Sequence, residues 1–245
     1  MKKIISATLL LLIVASSNLL TAQNLDEVLE NHFDAIGQKK LKKVETVTTK
    51  GKINQMGIDV PFVQISVRPN LFRVQGTFQG LSFIQTYNGV EGWTVNPFAG
   101  TTEPEPIPAD QMKELKVQAD MDGILWQWKE KGYNVTLDST EEVEGTPCYR
   151  VKVVVPEGST YVNFIDKESF LLIKTNTKST MMGAEVESES FYSNYMQIEG
   201  ITFPGKIENR YNGVTSEIIL IEAVELNKEY ATTLFDKSGT TIVTE

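Results

Sequence analysis

The residue types that most often carry chemistry are scarce in this chain. Its 245 residues include one histidine, His32, and one cysteine, Cys148. One histidine cannot build a multi-histidine metal site. His32 falls on the apolar stripe of a predicted helix, and no neighbour in the sequence is placed to orient it as a base. We therefore expect His32 to be a hydrogen-bonded core residue.

The other candidates for catalysis are equally weak. Cys148 begins an alternating stretch typical of a small buried hydrophobe, and a cysteine nucleophile would need a base that the sequence does not supply. Glu103 and Glu105 fall in a predicted solvated loop, and the three glutamates of residues 185–189 fall on a predicted outer strand face. A paired-carboxylate hydrolase needs two acids facing one cleft, and no glycine-rich phosphate loop or EF-hand occurs. We expect no enzyme activity and no cofactor or metal.

The charge balance excludes another class of function. The net charge is −9, and losing Lys2 and Lys3 with a leader peptide would leave −11. This excess of acidic residues leaves too little positive charge to neutralise the phosphates of a nucleic acid, so we expect no nucleic-acid partner. An acidic surface also disfavours adsorption to anionic lipid.

The N-terminus predicts export. Residues 1–22 combine two early lysines, an apolar run over residues 9–14 and a small-residue end at Ala22, as in a cleaved signal peptide. The alternative is a membrane anchor, but a span needs about 20 apolar residues. A lipid anchor would need a cysteine directly after the run, and Cys148 is far away. We predict a soluble periplasmic protein whose residues 23–245 form one domain.

The central block, residues 65–98, predicts short strands joined by tight turns. Gly and Asn pairs, such as those at Gly80 and Asn88, separate the apolar runs. Phe72, Val74 and Phe78 share one strand face, and Phe83 lies on the next strand. Since both faces of this sheet are apolar, both must be covered, by protein or by an apolar ligand.

The rest of the chain predicts more strands and two helical regions. A helix capped by Asn24 ends at Gly37. The proline-rich residues 99–110 predict a loop, and Asp110 is the expected cap of the next segment. A helical segment ended by Gly132 should lie across an opening. From residue 133 strands follow, including residues 185–196 and 203–210. We predict a mainly β fold, a single antiparallel sheet curled into an unclosed barrel with helices covering the mouth.

Such a barrel would hold either a ligand or its own side chains. A cavity lined by apolar residues can bind an acyl chain without a polar anchor, because each buried CH₂ contributes about 0.8 kcal/mol. The alternative is a filled core, as in many small barrels. For the cavity, the predicted ligand-binding residues are Phe72, Val74, Phe78, Phe83, Ile124, Leu125, Trp126 and Trp128.

The central block also resembles the N-terminal half of the LolA family of periplasmic lipoprotein carriers. About 35 residues carry the resemblance, in the order Arg68-Pro69-Asn70-Leu71-Phe72, Tyr87-Asn88-Gly89, Trp93 and Asn96-Pro97-Phe98. Beyond Phe98 only the sequence of elements is similar.

The resemblance implies a role for particular residues. In that family the arginine of this motif holds a lid shut until cargo arrives, so Arg68 would be the latch and residues 121–131 the lid. Phe72 would matter for partner contacts. The family implies a monomer that takes lipoproteins by their acyl chains from an inner-membrane donor complex and delivers them to an outer-membrane acceptor. A carrier or sensor of another lipid, and a structural or regulatory protein without a ligand, are the alternatives.

Overall fold

The computed structural model describes residues 24–156, 158–181 and 184–239. The predicted signal peptide, residues 1–22, lies outside the described residues. Among those that are described, no helix combines the length and the apolar character needed to cross a membrane.

The main elements of the described part of the chain are fifteen strands and three α-helices. The helices are α1 (Leu25–Ile36), α2 (Gln38–Leu41) and α3 (Ala109–Ala119). The strands are β1 (Thr46–Gln55), β2 (Ile58–Val67), β3 (Leu71–Phe78), β4 (Leu81–Tyr87), β5 (Gly92–Asn96), β6 (Thr101–Pro106), β7 (Asn134–Val143), β8 (Thr146–Val154), β9 (Thr160–Asp166), β10 (Leu172–Met181), β11 (Ala184–Ser193), β12 (Met196–Ile198), β13 (Ile201–Phe203), β14 (Lys206–Tyr211) and β15 (Val214–Leu226).

Thirteen of these strands form one antiparallel sheet. Its order is β6-β5-β4-β3-β2-β1-β15-β14-β11-β10-β9-β8-β7, and β12 and β13 form a separate hairpin. The two edge strands, β6 and β7, are not paired with each other, so the sheet is not closed into a barrel. This confirms the predicted mainly β, unclosed architecture. We call the sheet face covered by α1 and α3 the inner face, and the opposite one the outer face.

Local signals set the ends of the elements as predicted. Asn24 caps α1 by accepting a hydrogen bond from the Glu27 amide at 2.8 Å, and Gly37 ends the helix in the left-handed region with φ of 75°. The turn between β3 and β4 uses Gln79 and Gly80, both with positive φ. Glycine adopts this conformation without steric cost, which is why such pairs locate hairpins in the sequence.

The proline-rich loop prediction is wrong. Residues 101–106 form β6, the edge strand, which pairs with β5 through Trp93 opposite Pro106 and Thr94 opposite Glu105. An edge strand needs backbone donors on one side only, so prolines are tolerated there. The capping prediction for Asp110 is also wrong, because Pro108 is the N-cap of α3 and Asp110 lies in its first turn.

The strands predicted over residues 185–196 and 203–210 are observed as β11 and β14, but β11 ends at Ser193 and β14 begins only at Lys206. Residues 196–203 instead form the β12–β13 hairpin, which packs on α1. Thr202 donates a hydrogen bond to the carbonyl of Ala35 at 3.0 Å. A Cβ atom at Gly37 would lie 2.3 Å from the Gly200 oxygen, so the two backbones approach too closely for a side chain.

Under β7, β8 and β9 the inner face is filled. Val28 and Leu29 of α1 pack with Leu125 and with side chains of these strands in one buried cluster. Four of those strand residues are fully or nearly fully buried: Val135, Val151, Val153 and Ile165. Removing this apolar surface from water is the main stabilising contribution of α1.

The outer face of the first strands is covered by the C-terminal segment, residues 227–239. Arg73 on β3 is 1% exposed and donates hydrogen bonds to the carbonyls of Gly239 at 2.7 Å and Leu234 at 3.2 Å. Burial lowers the pKa of Arg73 to about 10. These contacts satisfy the expectation that a sheet with two apolar faces must be covered on both.

Candidate functional site

A cavity of about 530 Å³ opens on the inner face under β1–β4, β14 and β15. Its volume is within the roughly 300–1,000 Å³ range of small-molecule sites. Apolar side chains form most of its wall: Leu41, Val47, Ile53, Phe62, Phe72, Val74, Phe83, Met121, Phe203, Pro204, Ile207, Ile219 and Ile221. A cavity with this lining suits hydrocarbon.

Strand register places three of the predicted ligand-binding residues in this wall. Phe72 and Val74 are two positions apart on β3, and Phe83 lies opposite Gly76 across the β3–β4 ladder. A Cβ atom at Gly76 would lie 2.2 Å from the Phe83 ring, so the glycine leaves the space that the ring occupies. Phe78 is further out at the same hairpin and pairs with the exposed Phe98, with 6.4 Å between ring centroids.

The four predicted lid residues do not line this cavity. Leu125 is 6% exposed and belongs to the filled cluster under α1, against which Ile124 and Trp128 also pack. Trp126 contacts Phe33 of α1 edge to face, with 4.9 Å between centroids. In this part of the chain the cavity wall is instead formed by Met121, the first residue of the segment, and by Asp120 before it.

The segment itself is not a regular helix, contrary to the sequence prediction. Residues 121–132 form consecutive turns. Gly123, Gln127 and Gly132 have φ values of 75°, 50° and 71°. These left-handed conformations interrupt the right-handed helical path that the apolar spacing predicts. Lys131 stabilises the turns by donating to the Gly123 carbonyl at 2.8 Å and to the Asp120 carboxylate.

Arg68 joins this turn segment to the rest of the fold. Its guanidinium donates two hydrogen bonds to the Asp122 carboxylate, at 2.6 and 2.9 Å. It also donates to the carbonyls of Val44 at 2.8 Å and Leu41 at 3.0 Å. The hydrogen bonds to Asp122 raise the pKa of Arg68. Only the Asp122 partner lies on the predicted lid, residues 121–131, while the two carbonyls belong to the last residue of α2 and to the segment that follows it.

Asp122 has a second partner on α2. Gln38 is fully buried and donates from Nε2 to Asp122 at 2.9 Å. The side chains of Arg68 and Asp122 are 19% and 15% exposed, so their ion pair is largely shielded from water. A shielded, bidentate pair is stronger than a typical surface ion pair.

The cavity also contains a polar cluster that the sequence interpretation missed. Ser190 donates to Asn209 at 2.7 Å, and Asn209 donates to Glu217 at 2.6 Å. Asn209 and Glu217 are part of the cavity wall. Each lies on the inner face by strand alternation, a signal present in the sequence once strand register is known.

The residues considered for catalysis are buried in the core or paired on the outer face. His32 is 6% exposed and its Nδ1 donates to the Phe170 carbonyl at 2.8 Å. Burial lowers the pKa of His32 and raises the pKa of the fully buried Cys148 thiol. Glu185 and Glu189 form ion pairs with Lys178 and Lys174 on the outer face. Within the described residues, no group of three or more acidic, histidine or cysteine side chains is placed to hold a metal ion.

Comparison by sequence finds no matching family model and no matching curated protein. Comparison of structures finds the fold. A DUF1329 family protein from Desulfovibrio piger has a TM-score of 0.62 at 14% identity, covering 87% of this chain and 99% of that one. A LolA superfamily protein from Nitrosomonas europaea has a TM-score of 0.60 at 14% identity, covering 87% and 97%.

A third structure is a domain from Vibrio parahaemolyticus, described as an outer membrane lipoprotein-sorting protein domain. It has a TM-score of 0.57 at 11% identity, covering 86% of this chain and 97% of that one. At these identities the likeness concerns the arrangement of the backbone. The chain has the same overall fold as these three proteins, one of which belongs to the LolA superfamily that the central block resembles.

Proposed function

We propose that this protein is a periplasmic carrier that binds acyl chains in the inner cavity and ferries lipoproteins to the outer membrane, without a catalytic step. The observation that carries the proposal is the cavity itself. Its wall is largely apolar, and its volume is large enough for a hydrocarbon ligand. A sheet interior filled everywhere by its own side chains would have left no such space.

Loading would exchange one set of interactions for another. In the closed state Arg68 joins the turn segment, residues 121–132, to the ends of α2 and β2. Entering hydrocarbon would gain about 0.8 kcal/mol for each CH₂ removed from water, against the loss of these hydrogen bonds. Arg68 would thus be the latch whose release admits the cargo.

The identity of the cargo is tested by purifying the native protein from the periplasm and analysing bound material by mass spectrometry. A lipoprotein or its acylated N-terminal peptide is the expected result. A phospholipid would instead support a carrier of another lipid on the same fold. A protein that is always empty, and takes up no labelled acyl chain in vitro, would contradict the proposal.

The latch is tested with Arg68→Leu. We expect the turn segment to become more accessible, and cargo release to slow about tenfold, the ratio given by 1.4 kcal/mol, because the empty closed state loses stability. Trp126 and Trp128 lie on this segment, whereas Trp93 is buried elsewhere. Acrylamide quenching of tryptophan fluorescence therefore reports opening.

The matched control is Arg150→Leu. Arg150 also forms an ion pair with a carboxylate, that of Asp138 at 2.6 Å, on the outer face of β8 away from the cavity. Equal quenching and equal release rates in the wild type and Arg68→Leu, or the same changes in both variants, would show that Arg68 is not the latch.

A further inference from the structure

The partner of Arg68 in the closed state is a carboxylate, and the cavity ends beside it. Leu41 contributes its side chain to the cavity wall and its carbonyl to Arg68. Asp120 and Met121 line the cavity and directly precede Asp122. A ligand that displaces Asp122 would therefore place its own head end within reach of the guanidinium.

Opening would leave Arg68 short of partners. Once Asp122 moves away, only the carbonyls of Val44 and Leu41 remain among its four hydrogen bonds. The guanidinium has five N–H donors in a planar fork that fits two oxygens of one anion. A largely shielded charge that loses its counter-ion is destabilised, so an anionic ligand head would lower the cost of opening.

A run of lysines lies beside the end of α2 that Arg68 contacts, although the protein is acidic overall. Lys39, Lys40, Lys42 and Lys43 are all exposed, in and just after α2, on a chain with a net charge of −9. Lys39 is paired with Asp34, and Lys42 lies 5.9 Å from the centre of the Trp126 ring on the turn segment. This run would attract an anion to the latch.

Nearby acids oppose the attraction only in part. Glu45 and Asp120 act electrostatically on Arg68 together with Asp122. Asp120, however, is already engaged by Lys131. Of these three, Asp122 alone contacts the guanidinium in the hydrogen bonds described above, so it is the group that a ligand anion would replace.

We propose that the cavity binds amphiphiles with an anionic head, a carboxylate or a phosphate, and that this head replaces Asp122 on Arg68 as the turn segment opens. The inference rests on the proposed acyl-chain carrier function and goes beyond it, because the acylated cysteine of a lipoprotein carries no carboxylate or phosphate head. It adds single-chain anionic lipids as a second class of ligand. It makes Arg68 both the latch and the headgroup site.

The test compares hexadecanoic acid and monohexadecyl phosphate with methyl hexadecanoate, which has the same chain and no charge. Dissociation constants are measured by calorimetry with the full mature chain. In the wild type we expect both anions to bind at least tenfold more tightly than the ester. Inorganic phosphate without a chain should not compete with them at the same concentration.

Two variants test the roles of Arg68 and Asp122 in the selectivity for an anionic head. In Arg68→Gln the ratio of ester to acid dissociation constants should fall to about 1, because the head loses its partner. In Asp122→Asn both dissociation constants should fall together at an unchanged ratio, because opening no longer breaks the ion pair with Arg68 for either ligand. Arg150→Gln, on the outer face, should keep the wild-type ratio. The ratio compares ligands within one variant, so it is insensitive to a general loosening of the turn segment.

The outcomes separate this inference from the carrier function. Equal affinity for the acid and the ester in the wild type would overturn the headgroup selectivity and leave the carrier proposal standing. If none of the three ligands binds, both the headgroup selectivity and the carrier proposal are overturned. Competition by inorganic phosphate as effective as by the lipid phosphate would identify a simple anion site and overturn the inference.

Discussion

Two regions of the inner face are built from strands with the same alternating pattern, but one is packed and the other borders open space. Under β7–β9 the alternating residues Val151 and Val153 are fully buried against α1. Under β1 and β15 the alternating residues Ile53, Ile219 and Ile221 line an open cavity. We call these the filled region and the hollow region.

The difference is caused by what lies over each region. The filled region is covered along its length by α1 and by Leu125 of the turn segment. The hollow region is covered only at its borders, by α3, Met121 and the β13 end at Phe203. Neither the filled-core alternative nor the cavity alternative describes the whole sheet, since each holds for one part of it.

The largest expected effect is the cost of shortening an inner-face isoleucine in the filled region. Ile165→Ala should lower the free energy of unfolding by about 2–5 kcal/mol, because it leaves a cavity in a packed core. The same change at Ile219, which already borders open space, should cost less than half as much. Urea denaturation measures both. Equal losses would mean that the hollow region is packed in solution.

An enlarged side chain should give the reverse contrast. Val153→Phe should destabilise the protein by about 1–3 kcal/mol, because the filled region has no room for a ring. Val47→Phe should cost under about 1 kcal/mol, since its ring can enter the cavity, and should weaken binding of a hexadecyl chain. Stability and binding are measured on the same samples. Unchanged ligand binding in Val47→Phe would place the ligand elsewhere.

The smallest effect concerns the outer side of the hollow region. Hydrogen bonds from Lys206, Arg210 and Thr215 lower the pKa of Glu208 from 4.5 to about 2. The folded form therefore favours ionised Glu208, whose contribution is complete above pH 4.5 and is lost as the pH falls towards 2. After solvent screening this contribution is about 1 kcal/mol.

Glu208→Gln should remove that part of the acid dependence. Urea unfolding of the variant and the wild type at pH 6 and pH 3 should show a smaller loss on acidification in the variant. An identical loss of unfolding free energy in both proteins would mean that the ion pairs of Glu208 do not stabilise the folded state in solution.

Local patterns in the sequence were sufficient for much of the fold. The cap at Asn24, the glycine turn at Gly80 and the alternation through Val151 and Val153 each follow from interactions within a few residues, and each is observed. The failures have non-local causes. The strand with Pro106 depends on an edge position, which the local sequence does not reveal.

The site was predictable to a similar extent. Phe72, Val74 and Phe83 were assigned to the cavity wall because period-two alternation fixes which side chains share a face. Trp126 and Leu125 were assigned to it from their apolar character alone, and they pack against α1 instead. Apolar character shows that a side chain will be covered, without showing by which element.

The sequence by itself determined that this chain is a mainly β protein with few groups suited to catalysis, because alternation, turn residues and composition act locally or by count. Only the tertiary structure decided that Arg68 meets Asp122, 54 residues later in the chain, and that one part of the inner face is hollow. Both depend on how far the helices and the turn segment extend over the sheet, and that distance is set by packing between elements far apart in sequence.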